Sequence, residues 1–277
     1  MSPLALLLVL LAALCHSALN LVVKTDTRRL EIQSGALVVG TLMCAPVLFF
    51  YSPWTLPLSA WAAIAVSALF ESAYGAGDMS LVYPVARGSG TVLVAPLAVL
   101  LLGERLSPQG VIGIGLVVAG IFLSHGLGRG ALRGWAVAGA HRRALGWALL
   151  TGALIAGYSL VNKVGVTLVP VPLYAFLVFL GDAVLVRLVQ RWWGATPPAL
   201  RREAPWGRMI AVGVLMMGAY LAVLVAMSQA PVSYVVAARE VSVVVAALVG
   251  AIVLHERHSI ARVAGAVVIF GGLCAIA

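Results

Sequence analysis

The chain reads as an all-α integral membrane protein, with ten transmembrane helices arranged as two five-helix inverted repeats around a central cavity. Three observations predict this. Hydrophobic residues make up 62% of the 277 positions and charged residues only 10%, which leaves too little polar surface to cover a water-soluble core. The apolar residues fall into ten runs, most of them close to the roughly 20 residues that a helix needs to cross the hydrocarbon core. The last part of the sequence also repeats an earlier part at a fixed offset of 152 residues.

The runs lie at 3–23, 34–51, 58–77, 80–102, 108–124, 145–163, 170–190, 207–228, 233–254 and 259–276. The first lacks a basic leader, and Leu14 before Cys15 spoils a lipoprotein cleavage signal, so it reads as a retained helix rather than a signal peptide. The second stops at Ser52-Pro53, the fourth at Gly103, and the fifth opens after Ser107 at Pro108. Pro170, Pro197-Pro198 and Pro231 punctuate the later runs. Proline removes a backbone donor and glycine tolerates turn conformations, so each marks a helix end. Between the fifth and sixth runs, Gly128 to Arg143 carries Trp135 among arginines, the pattern of an interfacial linker. The expected division is a first five-helix unit at 1–124, a basic linker at 125–144 and a second unit at 145–277.

The repeat carries more than apolar matches. The 152-residue offset aligns Arg87 with Arg239, Glu104 with Glu256, Arg105 with Arg257, Ser107 with Ser259, Gly113 with Gly265 and Gly120 with Gly272. Charged and hydroxyl coincidences in so apolar a background indicate duplication. A shorter match at an offset of 142 sets Ser17 and Asn20 on Ser159 and Asn162. Five spans per copy is an odd number, so the second copy enters the membrane inverted, an arrangement that supports alternating access. Counting Lys and Arg outside the spans puts thirteen on one side, against Arg105 and Lys163 on the other. Basic loops stay cytoplasmic, which places both termini in the periplasm of a bacterial inner membrane.

The stretch Tyr83-Pro84-Val85-Ala86-Arg87-Gly88-Ser89-Gly90, the loop Leu102-Gly103-Glu104-Arg105-Leu106, and Ala238-Arg239-Glu240-Val241-Ser242 with His255-Glu256-Arg257 resemble the EamA-type transporters of the drug/metabolite transporter superfamily. The opening His16-Ser17-Ala18-Leu19-Asn20 with Lys24 resembles one branch of it. The resemblance implies a five-plus-five fold and, commonly, export of amino acids or related metabolites. The second copy departs from the first where Glu240 stands for Gly88 and Ser242 for Gly90.

Ionisable residues inside spans cost several kcal/mol unless they face a cavity or a partner, so each is a functional candidate. At about 1.5 Å per residue, Glu71, Arg87 and His16 fall at one depth in the inner half of the cavity, with Asn20 nearer its mouth. Arg239 falls at a matching depth from the opposite face, accompanied by Glu240 and Tyr158, with Asn162 as the repeat partner of Asn20. The two arginines then bracket the midplane as gates or substrate anchors, or serve as pins paired with Glu71 or Glu240. Pro84, Gly88 and Gly90 permit a break in the fourth helix that would turn free N–H groups toward an anion, or they allow close helix packing. Tyr74, Tyr83, Tyr158, Tyr220 and Tyr234 are candidate cavity aromatics. Asp182 and Arg187 read as structural, and Glu104 and Glu256 as braces for helix ends.

Arg87 and Glu71 together offer a positive and a negative anchor, which suits a zwitterion such as an amino acid. His16 and Glu71 are the candidates for coupling to protons. The alternatives are a lipid flippase, which needs a laterally open cavity with a basic rim, and export of organic cations or drugs, or of small anions such as phosphonates. No convergent nucleophile, metal-ligand or HExxH pattern points to an enzyme. Cys15, Cys44 and Cys274 sit in apolar runs without partners at ligand spacing, so neither a disulfide framework nor a metal site is expected. The expected partners are a small-molecule substrate and membrane lipid, without cofactor, nucleic acid or obligate protein partner.

Overall fold

A computed structural model describes residues 1–24, 26, 28–75, 83–124, 139–192, 205–245 and 260–277. Among these residues the chain is helical and contains no strand. In order, the helices are α1 (Pro3–Lys24), α2 (Arg29–Cys44), α3 (Leu58–Gly75), α4 (Tyr83–Leu102), α5 (Pro108–Ser124), α6 (Gly139–Leu168), α7 (Val171–Trp192), α8 (Trp206–Gln229), α9 (Val232–Arg239) and α10 (Ile260–Ile276). Five segments are long and apolar enough to cross a membrane: Pro3–Val23, Arg29–Phe49, Gly146–Leu168, Val171–Trp192 and Trp206–Gln229. Shorter apolar helices cover Leu58–Ser72, Ala86–Leu102, Pro108–Ser124 and Val263–Ile276.

The surface is apolar, the reverse of a soluble protein. Leu7, Leu100 and Ile260 are exposed on helix faces, while Phe50 and Trp54 (87% exposed) lie between α2 and α3 and Trp192 (94%) ends α7. Tryptophan at helix ends suits the boundary between lipid and water.

Helix packing displays the duplication. If each helix of the first five is equated with the one five places later, α5 with α10, α2 with α7 and α4 with α9 are pairs of equivalents, and each pair packs together. Three further sets of contacts are matched: α1 on α8 with α6 on α3, α4 on α6 with α9 on α1, and α2 on α8 with α7 on α3. The α5–α10 seam shows why the sequence dictates this. A Cβ on Gly113 would lie 2.7 Å from the Gly272 carbonyl, and one on Gly120 would lie 2.8 Å from the Gly265 carbonyl. Gly113 is the repeat mate of Gly265 and Gly120 of Gly272, so each glycine meets the mate of the other. Reciprocal contact of this kind is the mark of a two-fold axis, and only glycine lets the backbones approach so closely.

Three helix boundaries differ from the sequence expectation. The α-helix of the second run starts earlier, at Arg29, and gives way to a 3-10 turn over Ala45–Phe49, because Pro46 cannot donate to the α-helical ladder. Helix α6 begins at Gly139, inside the expected linker, and extends to Leu168, where Pro170 ends it. The ninth run, expected to be continuous over 233–254, is interrupted. Helix α9 stops at Arg239, Glu240 forms a turn, and residues 241–245 are helical again. Most of the proposed linker, 125–138, lies outside the described residues.

Helix ends are tied across the two copies. Glu104, in the α4–α5 loop, accepts the Val232 N–H at 2.5 Å on one oxygen, and the Ser233 N–H (3.3 Å) and hydroxyl (2.7 Å) on the other. It therefore caps the start of α9 from another helix hairpin, matching its carboxylate to otherwise unpaired N–H groups. The Tyr234 hydroxyl accepts the Ser107 N–H at 2.7 Å, completing a clasp. At the same end, the Lys163 ammonium donates to the Met227 (2.5 Å) and Ala230 (2.9 Å) carbonyls at the close of α8. Lys163 thus serves as a helix cap inside α6 rather than as a loop charge.

Candidate functional site

Of the two readings of Pro84, Gly88 and Gly90, the break in α4 does not occur: the helix runs unbroken from Tyr83 to Leu102. Pro84 sits in its first turn, where the lost donor has no helical acceptor. The glycines serve packing instead. A Cβ on Gly88 would come 3.0 Å from the Phe122 ring, and one on Gly90 would come 2.9 Å from Ile155. The discontinuity lies instead at Glu240, the repeat mate of Gly88. There the Glu240 N–H bonds the Ala237 carbonyl at 3.1 Å, and the Val243 N–H bonds the Glu240 carbonyl at 2.9 Å. Both are three-residue spacings that tighten the helix into a 3-10 turn, a form that marks hinges.

This turn delivers Glu240 to Arg87. The Arg87 guanidinium donates from Nη2 (2.9 Å) and Nε (3.2 Å) to the same oxygen, Oε1, and from Nη2 to the Ser242 hydroxyl at 3.3 Å. The pair is 12% and 6% exposed, so water screens it little. Ser17 of α1 donates to the Ser242 carbonyl at 3.4 Å. His16, on the same helix, lies within electrostatic reach of both Arg87 and Arg239. Arg87 and Glu240 are therefore in contact across the two copies, where depth along the helices had set them in opposite halves of the cavity. Measuring depth along an uninterrupted helix takes no account of the turn at Glu240.

A second cluster surrounds Glu71. Its Oε1 accepts Asn162 Nδ2 at 3.1 Å and the Tyr220 hydroxyl at 3.0 Å, with the Ser67 hydroxyl at 3.2 Å. Asn162 Oδ1 in turn accepts Ser67 (2.5 Å) and Tyr174 (2.9 Å). Asp182 accepts the Ser72 hydroxyl at 2.8 Å and lies within electrostatic reach of Glu71. Arg239 lies within electrostatic reach of Glu71, which brings the two clusters together. Ser67, Asn162 and Tyr174 are fully buried or nearly so, and in an apolar interior each such group needs its partner.

The candidates named from sequence divide accordingly. His16, Arg87, Arg239 and Glu240 form one cluster; Glu71 and Asn162 belong to the other. Tyr158 is half-buried on α6. Asn20 is exposed near the end of α1, unlike its buried repeat mate Asn162. The side chains of Tyr74 and Tyr83 lie outside the described residues, as do Glu256 and Arg257. Sequence reasoning set Asp182 aside as structural and did not single out Tyr174 or Ser67. Asp182 carried a signal, since an acid in the middle of a span is a functional candidate by default. The serine and tyrosine carried none.

A surface crevice of about 410 Å³ between α2 and α7 is lined by Val38, Leu42, Leu180, Val184, Arg187 and Arg191 among others. It includes no member of either polar cluster.

An apolar helix bundle, duplicated about a two-fold axis and holding ion pairs and amides contributed by both copies, has the architecture of an inverted-repeat membrane carrier. The chain belongs to the EamA-like transporter family, whose model matches residues 3–125 and 142–277, and it is a multi-pass membrane transporter. A 99-residue stretch is 31% identical to a protein described as the multidrug transporter PA4990 of Pseudomonas aeruginosa, covering 36% of this chain and 90% of that protein. A crystal structure of another protein, 18% identical, superposes with a TM-score of 0.77 over 98% of this chain and 95% of that one, which establishes a shared fold.

Proposed function

We propose that the protein exports small aminated solutes, amino acids foremost, from the cytoplasm across a bacterial inner membrane by alternating access. The observation that carries this reading is the convergence of three carboxylates (Glu71, Asp182 and Glu240), two arginines (Arg87 and Arg239) and His16 inside an apolar bundle. A mixed-charge interior matches both ends of a zwitterion, whereas a simple ion leaves one set of charges unmatched. His16, Glu71, Arg87, Asn162, Arg239 and Glu240 are the residues we assign to substrate binding or gating, with Tyr158 beside them on α6. The reaction is transport without covalent chemistry.

The Glu71–Asp182 pair suits proton coupling, because two adjacent carboxyls in an apolar interior favour sharing one proton. The Met1 ammonium donates to the Ile276 and Ala277 carbonyls, and Asp26 of the α1–α2 loop pairs with Arg208 at the start of α8. These contacts agree with two termini on one face and basic loops on the other, and the termini are accordingly assigned to the periplasm. The matched helix pairs support the division into units at 1–124 and 145–277.

A second reading, export of organic cations, is favoured by the multidrug description of the 31% identical relative. The crevice between α2 and α7 has the basic rim that a flippase would need, but its separation from the polar clusters favours soluble substrates. The deciding experiment is transport by the purified protein in liposomes, with an imposed pH gradient, against amino acids, amines, quaternary cations and phosphonates. Uptake of quaternary cations alone would replace the amino-acid reading with the second one.

A further inference from the structure

We infer that Glu240 Oε2 is the docking oxygen for a substrate N–H, so that the transporter accepts primary, secondary and tertiary ammonium groups and rejects quaternary ones. This rests on the transport reading above and sharpens its substrate class. The two Arg87 hydrogen bonds to Glu240 both fall on Oε1. Oε2 is buried and has no hydrogen-bond partner among the described residues, although the side chain is only 6% exposed. A carboxylate oxygen has room for two donors, and buried acceptors in folded proteins are almost always matched.

The position selects the donor. A proton on Oε2 would turn an unmatched acceptor into an unmatched donor. A hard metal ion needs about six oxygens, and no group of three or more metal-ligating side chains occurs among the described residues. An ammonium N–H needs one acceptor per hydrogen. It also lies favourably at the carbonyl end of α9, where the helix dipole is negative. Arg239 and His16 stand in the same cluster, so a carboxylate on the same small molecule finds its counter-charge within reach. A quaternary ammonium presents only C–H groups and leaves Oε2 unmatched. Because Oε2 lies at the tightened turn between α9 and residues 241–245, opening that turn exposes the docking oxygen, and a bound N–H opposes its return.

The test uses two methylation series, from butylamine to butyltrimethylammonium and from leucine to its trimethyl betaine. Affinity for the purified full-length protein is measured by isothermal titration and by ligand-induced thermal stabilisation. The expected result is similar affinity while one N–H remains, then a ten- to hundredfold loss at the last methylation, the scale of one charge-assisted hydrogen bond. In Glu240→Gln that step should flatten. Equal affinity for butylamine and butyltrimethylammonium overturns the assignment of Oε2 and leaves the transport reading intact. Binding by no member of either series overturns both. The wild-type series decides the question even if Glu240→Gln fails to fold.

Discussion

Removing the Arg87 side chain isolates the energetics of the cross-repeat pair. Arg87→Ala deletes hydrogen bonds of 2.9 and 3.2 Å to Glu240 Oε1 and one of 3.3 Å to Ser242. It leaves Glu240, only 4% exposed, with both oxygens unmatched. Stripping one partner from a buried ion pair costs about 3–5 kcal/mol, whereas replacing both partners with apolar residues of similar volume is often close to neutral. Glu240→Ala should cost a similar amount, and Arg87→Met with Glu240→Met should recover most of the loss. Arg87→Lys should fall between, at about 1–2 kcal/mol. Both guanidinium contacts converge on one oxygen, which a point charge can partly satisfy. Equilibrium unfolding in mixed micelles, followed by tryptophan fluorescence, reads these values directly. A loss below about 1 kcal/mol in Arg87→Ala, or a double variant whose cost equals the sum of the two single ones, would refute the reasoning.

Other consequences are open to measurement. Gly272→Val should destabilise by about 1–3 kcal/mol or more, since its Cβ would meet the Gly113 carbonyl at 2.6 Å and the Val117 nitrogen at 2.9 Å, neither of which can rotate away; a thermal melt unchanged from wild type would contradict the glycine seam. Glu104→Ala removes the cap of α9 and should cost about 1–2 kcal/mol, with amide-exchange protection lost first at Val232 and Ser233. The Arg28 backbone N–H, and then the Arg208 guanidinium, hold the Asp26 carboxyl below the usual carboxylate range. Because its folded value lies below its unfolded one, Asp26 contributes stability fully above about pH 4 and loses that contribution as pH falls through the depressed value. The melting difference between wild type and Asp26→Asn should therefore shrink toward pH 2. Reporter fusions at either terminus should be active only with a periplasmic reporter; activity confined to a cytoplasmic one would reverse the assigned orientation.

Much of the fold can be read from the chain because apolar run length and repeated charged positions are local or periodic properties. The matched Gly113/Gly265 and Gly120/Gly272 in the sequence anticipate the reciprocal seam of α5 and α10. The location of the helix break is another matter. Gly88 and Gly90 are equally compatible with a bend and with close packing, and the choice is made by Phe122 and Ile155, which lie on other helices. Glu240, with a better intrinsic helix propensity than glycine, takes the turn because its carboxylate reaches Arg87 there. The Glu71 cluster draws Asn162 from α6, Tyr174 from α7 and Tyr220 from α8. Which faces of four helices meet depends on their mutual rotation, and no single stretch of sequence encodes that.

The clasp of Glu104 and Ser107 on the start of α9 makes that helix a lever. Its first turn is pinned by hydrogen bonds from Val232 and Ser233, while its last turn ends at the turn formed by Glu240. Eight residues span about 12 Å, so tilting α9 by roughly 10° about its pinned end carries Glu240 sideways by about 2 Å. That displacement is enough to part Oε1 from the Arg87 guanidinium, because hydrogen bonds weaken steeply beyond about 3.5 Å. The fulcrum belongs to one copy of the repeat and the arm to the other, so under the alternating access proposed above a small rocking of the halves would switch the ion pair between latched and unlatched.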